Sequence, residues 1–482
     1  MISERTKKML NLSGVCKLMV FDLYGFSDLC DYEAILTAKG FNIVRYTDVE
    51  AFRLAYEESL KTSTERVAVL IESDIYVPYD IQQIFRKVNV SLADIFPRLH
   101  ADTLMKYAHD IDLISYAYKE CYDDKKMPSE TELFVNKIAF SNELIVDYCF
   151  EKMTLIKELC ENASRYTDWI QVAKIKAKIE YYARVAGIDI DLSFVDNAFA
   201  LFIKGGYARL SSELGASAPA IVTKILGFVC GLNKPKVAII VMDGMSLFDF
   251  EILSRYMGSI EYELEGTFAI IPTTTPISRQ SLLSGKYPRE LDNPFSLAGE
   301  ERAFVLAGEE LGFSSNQIQY LRGYEPNISG FAKLIAIVIN EIDDIVHGER
   351  QQRDGLLGAM RTLGKEGKLQ KLIEILVMSG FEVYVTSDHG NTPCEGVGGF
   401  RSGVEMQSKS MRMAVLKDFA DKRDLIDLYA TEYPGHYLSK DYKYFVCEPG
   451  ISYDTKGEKV ITHGGMTIDE VIVPFIKIKG VK

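Results

Sequence analysis

The sequence predicts an α/β protein built from more than one domain, and three observations support that fold class. At 482 residues, the chain exceeds the ~100–200 residues of a typical domain. Residues 15–100 alternate short apolar runs with longer amphipathic ones, as strands alternate with helices in a parallel sheet. The uninterrupted apolar run Val237–Met242 is typical of a strand covered on both faces. We therefore expect a small α/β domain at 1–100, a helical region at 101–232 and a larger α/β domain at 233–482.

The first 232 residues contain two kinds of hydrophobic pattern. The alternating runs of the predicted small domain are Lys17–Leu23, Asp31–Lys39, Phe41–Tyr46, Val49–Leu60 and Val67–Ile71. Beyond residue 100, strand-like runs become rare, and Glu132–Cys149 and Trp169–Ala186 carry apolar residues at three- and four-residue spacing. That spacing predicts helices. The hydrophobic pattern changes again after Gly231–Pro235, and we place the last domain boundary there.

Composition and charge exclude several classes of protein. The 68 acidic residues outnumber the 55 basic ones and give a net charge of −13, which argues against a protein that coats nucleic acid. A hydrophobic fraction of 47% excludes wholesale disorder. The eight cysteines include no Cys-x-x-Cys pair, and the amino terminus lacks the apolar segment of a signal peptide. Because no apolar run reaches the ~20 residues of a membrane helix, we expect a cytoplasmic protein without membrane attachment.

Two carboxylate-bearing turns follow predicted strands in the C-terminal domain. Asp243 comes directly after the apolar run Val237–Met242, at the kind of strand end where open α/β sheets bind ligands. An ordinary Asp-Gly turn is the alternative. The segment Phe381–Gly390 carries Asp388 and His389 at the end of another predicted strand, and these are two types of metal ligand. A polar turn after a strand is the alternative here.

Two further segments carry histidines with neighbouring acids. Phe331–Val346 is apolar and predicted to be helical, and Asp343 and His347 are four residues apart, so they would share one helix face. Such a pair can bind a metal ion or simply interact at the surface, and Asp344 is the competing carboxylate one position away. His463 precedes two glycines and is either a metal ligand or a turn residue.

The residues after His463 have the spacing of a helix start. Thr467 and Glu470 match a capping box, in which the side chain of the third helical residue bonds back to the cap. This pattern predicts a short helix just past the histidine. It also predicts a structural role for Glu470.

The segment Ile270–Gly285 places three consecutive threonines before a predicted helix. A hydroxyl at this junction lies near free backbone N–H groups, which can stabilise charge at a reacting centre. A helix cap is the alternative interpretation, because threonine is favoured there and Pro276 suits a first helical turn. The two roles are compatible.

Taken together, these segments supply three aspartates, three histidines and one hydroxyl, in the order Asp, Thr, Asp-x-x-x-His, Asp-His-Gly and His-Gly-Gly. This ordered set resembles the alkaline phosphatase superfamily. The His-Gly-Gly motif with the following Glu470 and Pro474 resembles its PglZ domain branch. The resemblance covers about residues 235–480 and implies an alkaline phosphatase-like α/β/α sandwich at 233–482. Because PglZ proteins are associated with bacteriophage exclusion systems, it also implies a role in anti-phage defence.

The resemblance implies a centre of two divalent metal ions. It assigns one ion to Asp243, Asp388 and His389, and the other to Asp343, His347 and His463. Nitrogen and oxygen ligands without thiolates suit Zn²⁺, and Mn²⁺ is also compatible.

Thr275 is the implied nucleophile and is counted with the metal ligands. The Pro-Thr-x-Thr pattern and the ten-residue interval from Thr275 to Gly285 resemble the superfamily's nucleophile segment. The triplet leaves Thr273 and Thr274 open as alternatives. Arg279 falls where related sulfatases carry an arginine, and we predict that it binds a substrate oxygen. Those sulfatases convert a cysteine or serine into their nucleophile, so a threonine argues against sulfate ester cleavage.

The implied function is a metal-dependent phosphatase or phosphodiesterase. Two divalent ions would bring about four positive charges to an acidic protein and attract a phosphate ester or nucleotide. Thr275 would form a phosphothreonine intermediate that water later releases. A phosphomutase acting on a small metabolite is the alternative within the superfamily, and a non-catalytic scaffold of a defence complex is the alternative of another class. Residues 1–232 are the candidate docking region for other phage-defence proteins.

The glycine-rich segment 391–412 allows two interpretations. It is either a solvated loop or a mobile lid that brings Arg401, Lys409 and Arg412 over the substrate.

Overall fold

The alternating runs near the amino terminus form a four-stranded parallel sheet, which confirms the small α/β unit. In the computed structural model its strands are β1 (Lys17–Phe21), β2 (Asn42–Arg45), β3 (Val67–Ile71) and β4 (Arg86–Asn89). They lie in the order β2-β3-β1-β4. Met19, Phe52 and Val69 are among the buried residues of the core on this sheet.

The structure describes residues 2–23, 25–26, 30, 32–46, 48–72, 75–215, 217–231, 236–398, 410–417 and 428–481. The chain forms two compact units, Met1–Tyr148 and Cys149–Lys482. The predicted boundaries at residues 100 and 232 fall within these units, and the division into three domains stays a prediction.

Helices occupy most of the chain between the first sheet and residue 231, as the three- and four-residue spacing predicted. Within the described residues, the α-helices up to this point are Ile2–Leu10, Tyr32–Ala38, Val49–Ala55, Tyr79–Gln82, Leu92–Ile95, Ala101–Met105, Ile111–Ala117, Pro128–Phe134, Asn142–Asn162, Tyr166–Ala186, Ser193–Gly205 and Ile225–Gly231. Two π-helical segments extend helices at Tyr56–Leu60 and Val135–Ala139.

A six-stranded sheet forms the centre of the second unit. Its strands are β5 (Val237–Met242), β6 (Ile260–Phe268), β7 (Ile318–Arg322), β8 (Leu334–Ile339), β9 (Glu382–Thr386) and β16 (Ile472–Val481), in the order β6-β16-β9-β5-β8-β7. Strands β9, β5, β8 and β7 are parallel, while β16 is antiparallel to both β9 and β6. Every residue of β5 and β8 is buried, as expected for central strands covered on both faces.

Two smaller sheets and several helices surround the six-stranded sheet. Strands β10 (Thr392–Gly396), β14 (Ile451–Ser452) and β15 (Lys459–Thr462) form one sheet, and β11 (Met413–Leu416), β12 (Ala430–Tyr433) and β13 (Lys443–Cys447) form the other. The α-helices here are Leu247–Leu253, Thr275–Ser284, Glu300–Glu310, Glu341–Gly348, Gln352–Glu366, Lys368–Met378 and Ile468–Val471.

The prediction of one helix over Phe331–Val346 is wrong. The apolar run Leu334–Ile339 is strand β8, and a helix begins only at Glu341. A short apolar run buried on both faces has no periodicity that separates a strand from a helix. Asp343 and His347 nevertheless share one helix, Glu341–Gly348, as their spacing predicted.

Part of the predicted loop at 391–412 lies outside the described residues, including Arg401 and Lys409. Of the remainder, Thr392–Gly396 forms strand β10. Arg412 is fully buried and its Nε donates to Glu470 Oε1 at 3.1 Å, so neither a solvated loop nor a lid describes it. Among the described helices, none is both long and apolar enough to cross a membrane.

Candidate metal centre

Two groups of three side chains bring possible metal-binding atoms together in the second unit. The first group is Asp243, Asp388 and His389, and the second is Asp343, His347 and His463. Within each group, the ligand atoms lie within 4.8 Å of one another. The structure thus brings together the six residues in the two sets that the family pattern assigned to two ions. We call them the Asp388 group and the Asp343 group.

The topology of the sheet explains why these residues meet. Asp243 follows β5, Asp388 and His389 follow β9, and the helix carrying Asp343 follows β8. Because these three strands are parallel neighbours, their carboxyl ends share one edge of the sheet. At that edge, Gly244 has φ of 75°, and a Cβ there would lie 3.4 Å from the Asp343 side chain.

Each group contains a buried carboxylate oxygen that no hydrogen bond satisfies. Asp243 Oδ1, Asp388 Oδ2 and Asp343 Oδ1 all lack a hydrogen-bond partner among the described residues. Burial of an unpaired carboxylate oxygen is costly, so such oxygens indicate a bound cation. His389 Nε2 lies 3.6 Å from Asp243 Oδ1 and 3.8 Å from Asp388 Oδ2, and His463 Nε2 lies 3.4 Å from Asp343 Oδ1.

Backbone carbonyls select the tautomer of two histidines. His389 Nδ1 lies 3.0 Å from the carbonyl oxygen of Gly390, and His463 Nδ1 lies 2.9 Å from that of Thr273. Since a carbonyl can only accept, each Nδ1 carries the hydrogen and each Nε2 presents its lone pair to the centre. Metal-binding histidines in proteins are oriented in this way. The donor set therefore fits two divalent cations.

Burial is the largest single influence on the pKa values of four candidate ligands, Asp243, Asp388, Asp343 and His463. Burial, reinforced by the charge of Asp388, raises the pKa of Asp243 well above its usual value, and burial raises the pKa of Asp388 to about 6. Burial and the neighbouring His389 lower the pKa of His463. Burial opposes ionisation of Asp343, but His347 and His463 outweigh it and lower the pKa of that carboxyl. A divalent cation would stabilise all of these groups in their ligating forms.

The three threonines of the triplet have different surroundings. Thr273 Oγ1 donates to the carbonyl of Gly465 at 2.9 Å and accepts from Gly464 N at 3.1 Å, which fixes the turn after His463. Thr274 is the N-cap of the helix Thr275–Ser284, and its buried Oγ1 has no partner among the described residues. Thr275 Oγ1 lies 3.0 Å from His389 Nε2. Of the three, Thr275 reaches the Asp388 group.

Arg279 is enclosed by carboxylates. Its guanidinium is 1% exposed, with Nη1 2.5 Å from Asp243 Oδ2 and Nε 2.7 Å from Glu300 Oε2. Burial lowers its pKa, but Asp243 and Glu300 outweigh that effect and raise it, so the guanidinium stays charged. Arg279 therefore contacts the side chain of Asp243, which is a candidate metal ligand. Its contact with a substrate oxygen stays a prediction.

Glu300 is a residue of the site that the sequence did not single out, and the role predicted for Arg412 differs from the buried contact with Glu470 that it makes. Glu300 begins the helix Glu300–Glu310, where an acidic residue is usual, so no local signal distinguishes it. Its Oε1 accepts from Tyr320 Oη, which links Arg279 to strand β7. Glu470 carries the predicted capping box, with Oε2 accepting from Thr467 N at 3.1 Å. The partner of its Oε1, Arg412, is distant in sequence and belongs to no motif.

The sequence matches a model of a known protein family. Residues 230–478 match the family PglZ, described as the BREX system PglZ alkaline phosphatase-like domain. The match covers both ligand groups and the threonine triplet. No curated protein matches the sequence.

Solved structures of two enzymes are similar to the same half of the chain. Murine ectonucleotide pyrophosphatase/phosphodiesterase 5, as an inactive variant in complex with AMP, is 14% identical with a TM-score of 0.37, over 50% of this chain and 88% of that one. Phosphonoacetate hydrolase from Sinorhizobium meliloti, in complex with phosphonoformate, is 11% identical with a TM-score of 0.32, over 51% of this chain and 90% of that one.

Proposed function

Because this chain belongs to the PglZ family of alkaline phosphatase-like domains, we propose that it is a two-metal phosphoester hydrolase with Thr275 as its nucleophile. The observation that carries the proposal is the convergence of one hydroxyl and two ligand groups. Thr275 Oγ1 lies 3.0 Å from His389 Nε2, and the two groups each hold buried carboxylate oxygens without hydrogen-bond partners. A reacting phosphate would therefore meet nucleophile and cations together.

Two divalent ions, Zn²⁺ or Mn²⁺, supply the positive charge that this acidic centre needs to receive a phosphate ester. Asp243, Asp388 and His389 would hold one ion, and Asp343, His347 and His463 the other. In the alkaline phosphatase pattern Thr275 is also counted with the ligands of this centre.

The chain itself positions the nucleophile. Thr275 is the first residue of the helix Thr275–Ser284, whose dipole favours negative charge at this end. It is 8% exposed, while Thr273 and Thr274 are fully buried, so a substrate reaches Thr275 most directly. Attack by Oγ1 on phosphorus would form a Thr275 phosphoester as the bond from phosphorus to the leaving oxygen breaks, and the alcohol would leave with the proton that the threonine hydroxyl gives up. Water would then hydrolyse the Thr275 ester, which frees phosphate from a monoester substrate and a phosphate monoester from a diester.

Arg279 supports the reaction through Asp243 in this proposal. Its ion pairs with Asp243 and Glu300 fix the orientation of a candidate ligand. This role differs from the predicted contact with a substrate oxygen, and the two are separable. Loss of a positioning residue reduces metal affinity, whereas loss of a substrate contact raises KM at full metal occupancy.

The test is the Thr275→Ala protein, assayed with p-nitrophenyl phosphate and bis-p-nitrophenyl phosphate after loading with zinc. We expect two bound ions, a loss of turnover of at least about a thousandfold, and no phosphothreonine. The matched control is Thr274→Ala, which should lose less than about tenfold. Unchanged turnover in Thr275→Ala at full occupancy would refute the assignment of the nucleophile.

The same assays separate the remaining functions. A wild-type protein with neither bound metal nor turnover would support the function of a non-catalytic scaffold. Transfer of the phosphate group from one position of a sugar phosphate to another, without release of free phosphate, would support a phosphomutase. The relative rates on the two substrates give the preference for monoesters or diesters.

We propose that the hydrolase acts in anti-phage defence, in the cytoplasm. The support is the description of the matched family as part of the BREX system. Residues 1–232 lie almost entirely outside the matched segment, and in this proposal they bind other defence proteins. Co-purification of tagged full-length protein with other components encoded beside it tests this role. A variant lacking 1–148, one whole unit, would lose those partners.

A further inference from the structure

The short helix Ile468–Val471 contacts both histidine-bearing turns of the metal centre. Gly390, next to His389, donates its N–H to the carbonyl of Glu470 at 2.9 Å. A Cβ on Gly390 would lie 1.9 Å from the carbonyl oxygen of Asp469, so the two backbones are in close contact. On the other side, Glu470 Oε1 accepts from Gly465 N at 2.7 Å. The helix therefore joins the turn after His389 to the turn after His463.

His389 and His463 belong to different ligand groups but lie against each other. Their rings are stacked, with centroids 4.0 Å apart and planes inclined by 14°. A shift of either turn would therefore change the separation between the Asp388 group and the Asp343 group. The helix Ile468–Val471 is the element that bridges these two turns.

Two side chains from helices that precede the matched segment hold this bridging helix. Lys176 Nζ, on the helix Tyr166–Ala186, lies 2.6 Å from Asp469 Oδ2. Asp196 Oδ1, on the helix Ser193–Gly205, accepts from Ile468 N at 3.0 Å. The first contact anchors the side of the bridging helix and the second caps its first turn.

Lys176 is a buried charge with a specific set of partners. It is 3% exposed, and its Nζ also lies 2.6 Å from Glu180 Oε1. Burial lowers the pKa of Lys176, but Asp469 and Glu180 outweigh burial and raise it, so the ammonium stays charged. A buried ammonium is retained in a fold only when it is paired in this way.

A second cation extends this network to the turn after His389. Arg353 Nη2 lies 3.3 Å from Asp469 Oδ2, and its Nη1 donates to Asn391 Oδ1 at 3.0 Å. Asn391 Nδ2 in turn donates to the carbonyl of Gly244 at 2.9 Å, next to the ligand Asp243. Lys176 and Arg353 thus share Asp469 and connect the helix Tyr166–Ala186 with three of the turns that carry ligands.

We propose that Lys176 and Asp196 are positioning residues of the metal centre, which set the separation of its two ligand groups through the helix Ile468–Val471. The catalytic unit then includes the helices from Tyr166 to Gly205, ahead of the segment that matches the family. This inference rests on the proposed two-metal function. It assigns those helices a role in metal binding.

The test compares four variants of the full-length protein by calorimetric titration of the metal-free form with Zn²⁺. Lys176→Met removes the anchor, and Lys174→Met is its control, since Lys174 lies on the same helix and pairs with Glu265 instead. Asp196→Ala removes the cap, while Asp196→Asn keeps an oxygen that accepts from Ile468 N. We expect Lys176→Met and Asp196→Ala to lower zinc affinity at least about tenfold, and both controls to stay within about twofold of wild type.

Each result decides between the proposals. Wild-type zinc affinity in folded Lys176→Met and in Asp196→Ala would overturn the inference while leaving the two-metal function intact. If Lys176→Met does not fold, the Asp196 pair decides: equal affinities of Asp196→Ala and Asp196→Asn would overturn the inference. A wild-type protein that binds neither zinc nor manganese would overturn both.

Discussion

His347 Nε2 and His463 Nε2 lie 3.1 Å apart, and Asp343 Oδ1 lies 3.2 Å from the first and 3.4 Å from the second. Because His463 Nδ1 carries the ring hydrogen, its Nε2 faces His347 with a lone pair. One cation between the three atoms satisfies both rings and the carboxylate together.

Replacement of His463 by alanine should therefore remove one of two bound zinc ions. The Asp343 group would keep two ligands, too few for a stable site. Metal content of the purified variant, measured by mass spectrometry after dialysis, checks the stoichiometry. His436→Ala is the control, because His436 belongs to neither group and should leave both ions in place. Two ions in His463→Ala would contradict the assignment.

Arg279→Met should destabilise the metal-free protein by about 3–5 kcal/mol, because it removes the buried cation that pairs with Asp243 and leaves Glu300 with only the half-exposed Arg322. Urea unfolding followed by circular dichroism measures this change. The control is Arg322→Met, because Arg322 also pairs with Glu300 but its side chain is 51% exposed. Its loss should lower the free energy of unfolding by less than about 1 kcal/mol. Equal costs would show that burial of the pair does not matter.

Gly465→Ala should distort the turn that carries His463. A Cβ at this position would lie 2.6 Å from Arg412 Nε and 2.7 Å from Glu470 Oε2, both of which are themselves fixed by buried contacts. We expect a loss of about 1–3 kcal/mol in unfolding free energy and weaker zinc binding. Gly480→Ala is the matched control, since a Cβ there meets no atom within 4 Å. A zinc affinity like that of wild type in Gly465→Ala would show that the turn adapts.

The stability of the metal-free protein should depend on the protonation of Asp196. Burial raises the pKa of Asp196 to about 7, Lys176 opposes this rise, and Asp469 and Glu180 add to it. Since the folded state keeps a proton that the unfolded state loses near pH ~4, this group's contribution to stability is present at acidic pH and is lost as pH rises towards ~7.

Asp196→Asn should remove that dependence. Between about pH 5 and about pH 8, wild type should lose roughly 2–3 kcal/mol more than the variant. Urea unfolding of both proteins at the two pH values gives the difference. Parallel pH profiles would show that Asp196 has an ordinary pKa in the folded chain.

The convergence of Asp243 and Asp388 could be predicted from sequence, because each follows an apolar strand-like run. Asp243 and Asp388 end apolar runs, and parallel neighbours place such ends at one edge. The secondary structure before Asp343 could not be predicted, since Leu334–Ile339 is apolar throughout and has no period. Burial on both faces, a tertiary property, decides that it is a strand.

The supporting ion pairs needed the three-dimensional structure. Arg279 and Glu300 lie on two different helices and form an ion pair. Neither belongs to a sequence motif from which the other could be predicted as its partner. For Lys176 a signal was present: it lies on the apolar face of Tyr166–Ala186, between the buried Val172 and Ile179. A lysine at such a position predicts a buried anion, but which anion follows only from the fold.

Strand β16 is placed between β9 and β6, although it follows both in the sequence. In the described sheet, β6 is hydrogen-bonded to β16. The strand β6, which leads into the threonine triplet, therefore has no paired strand until residues 472–481 have been synthesised. During translation, the pairing that joins β6 to the sheet therefore forms only after β16 has left the exit tunnel of the ribosome. A nascent chain stalled before that point should carry most of the ligands and yet be unable to hydrolyse a phosphate ester.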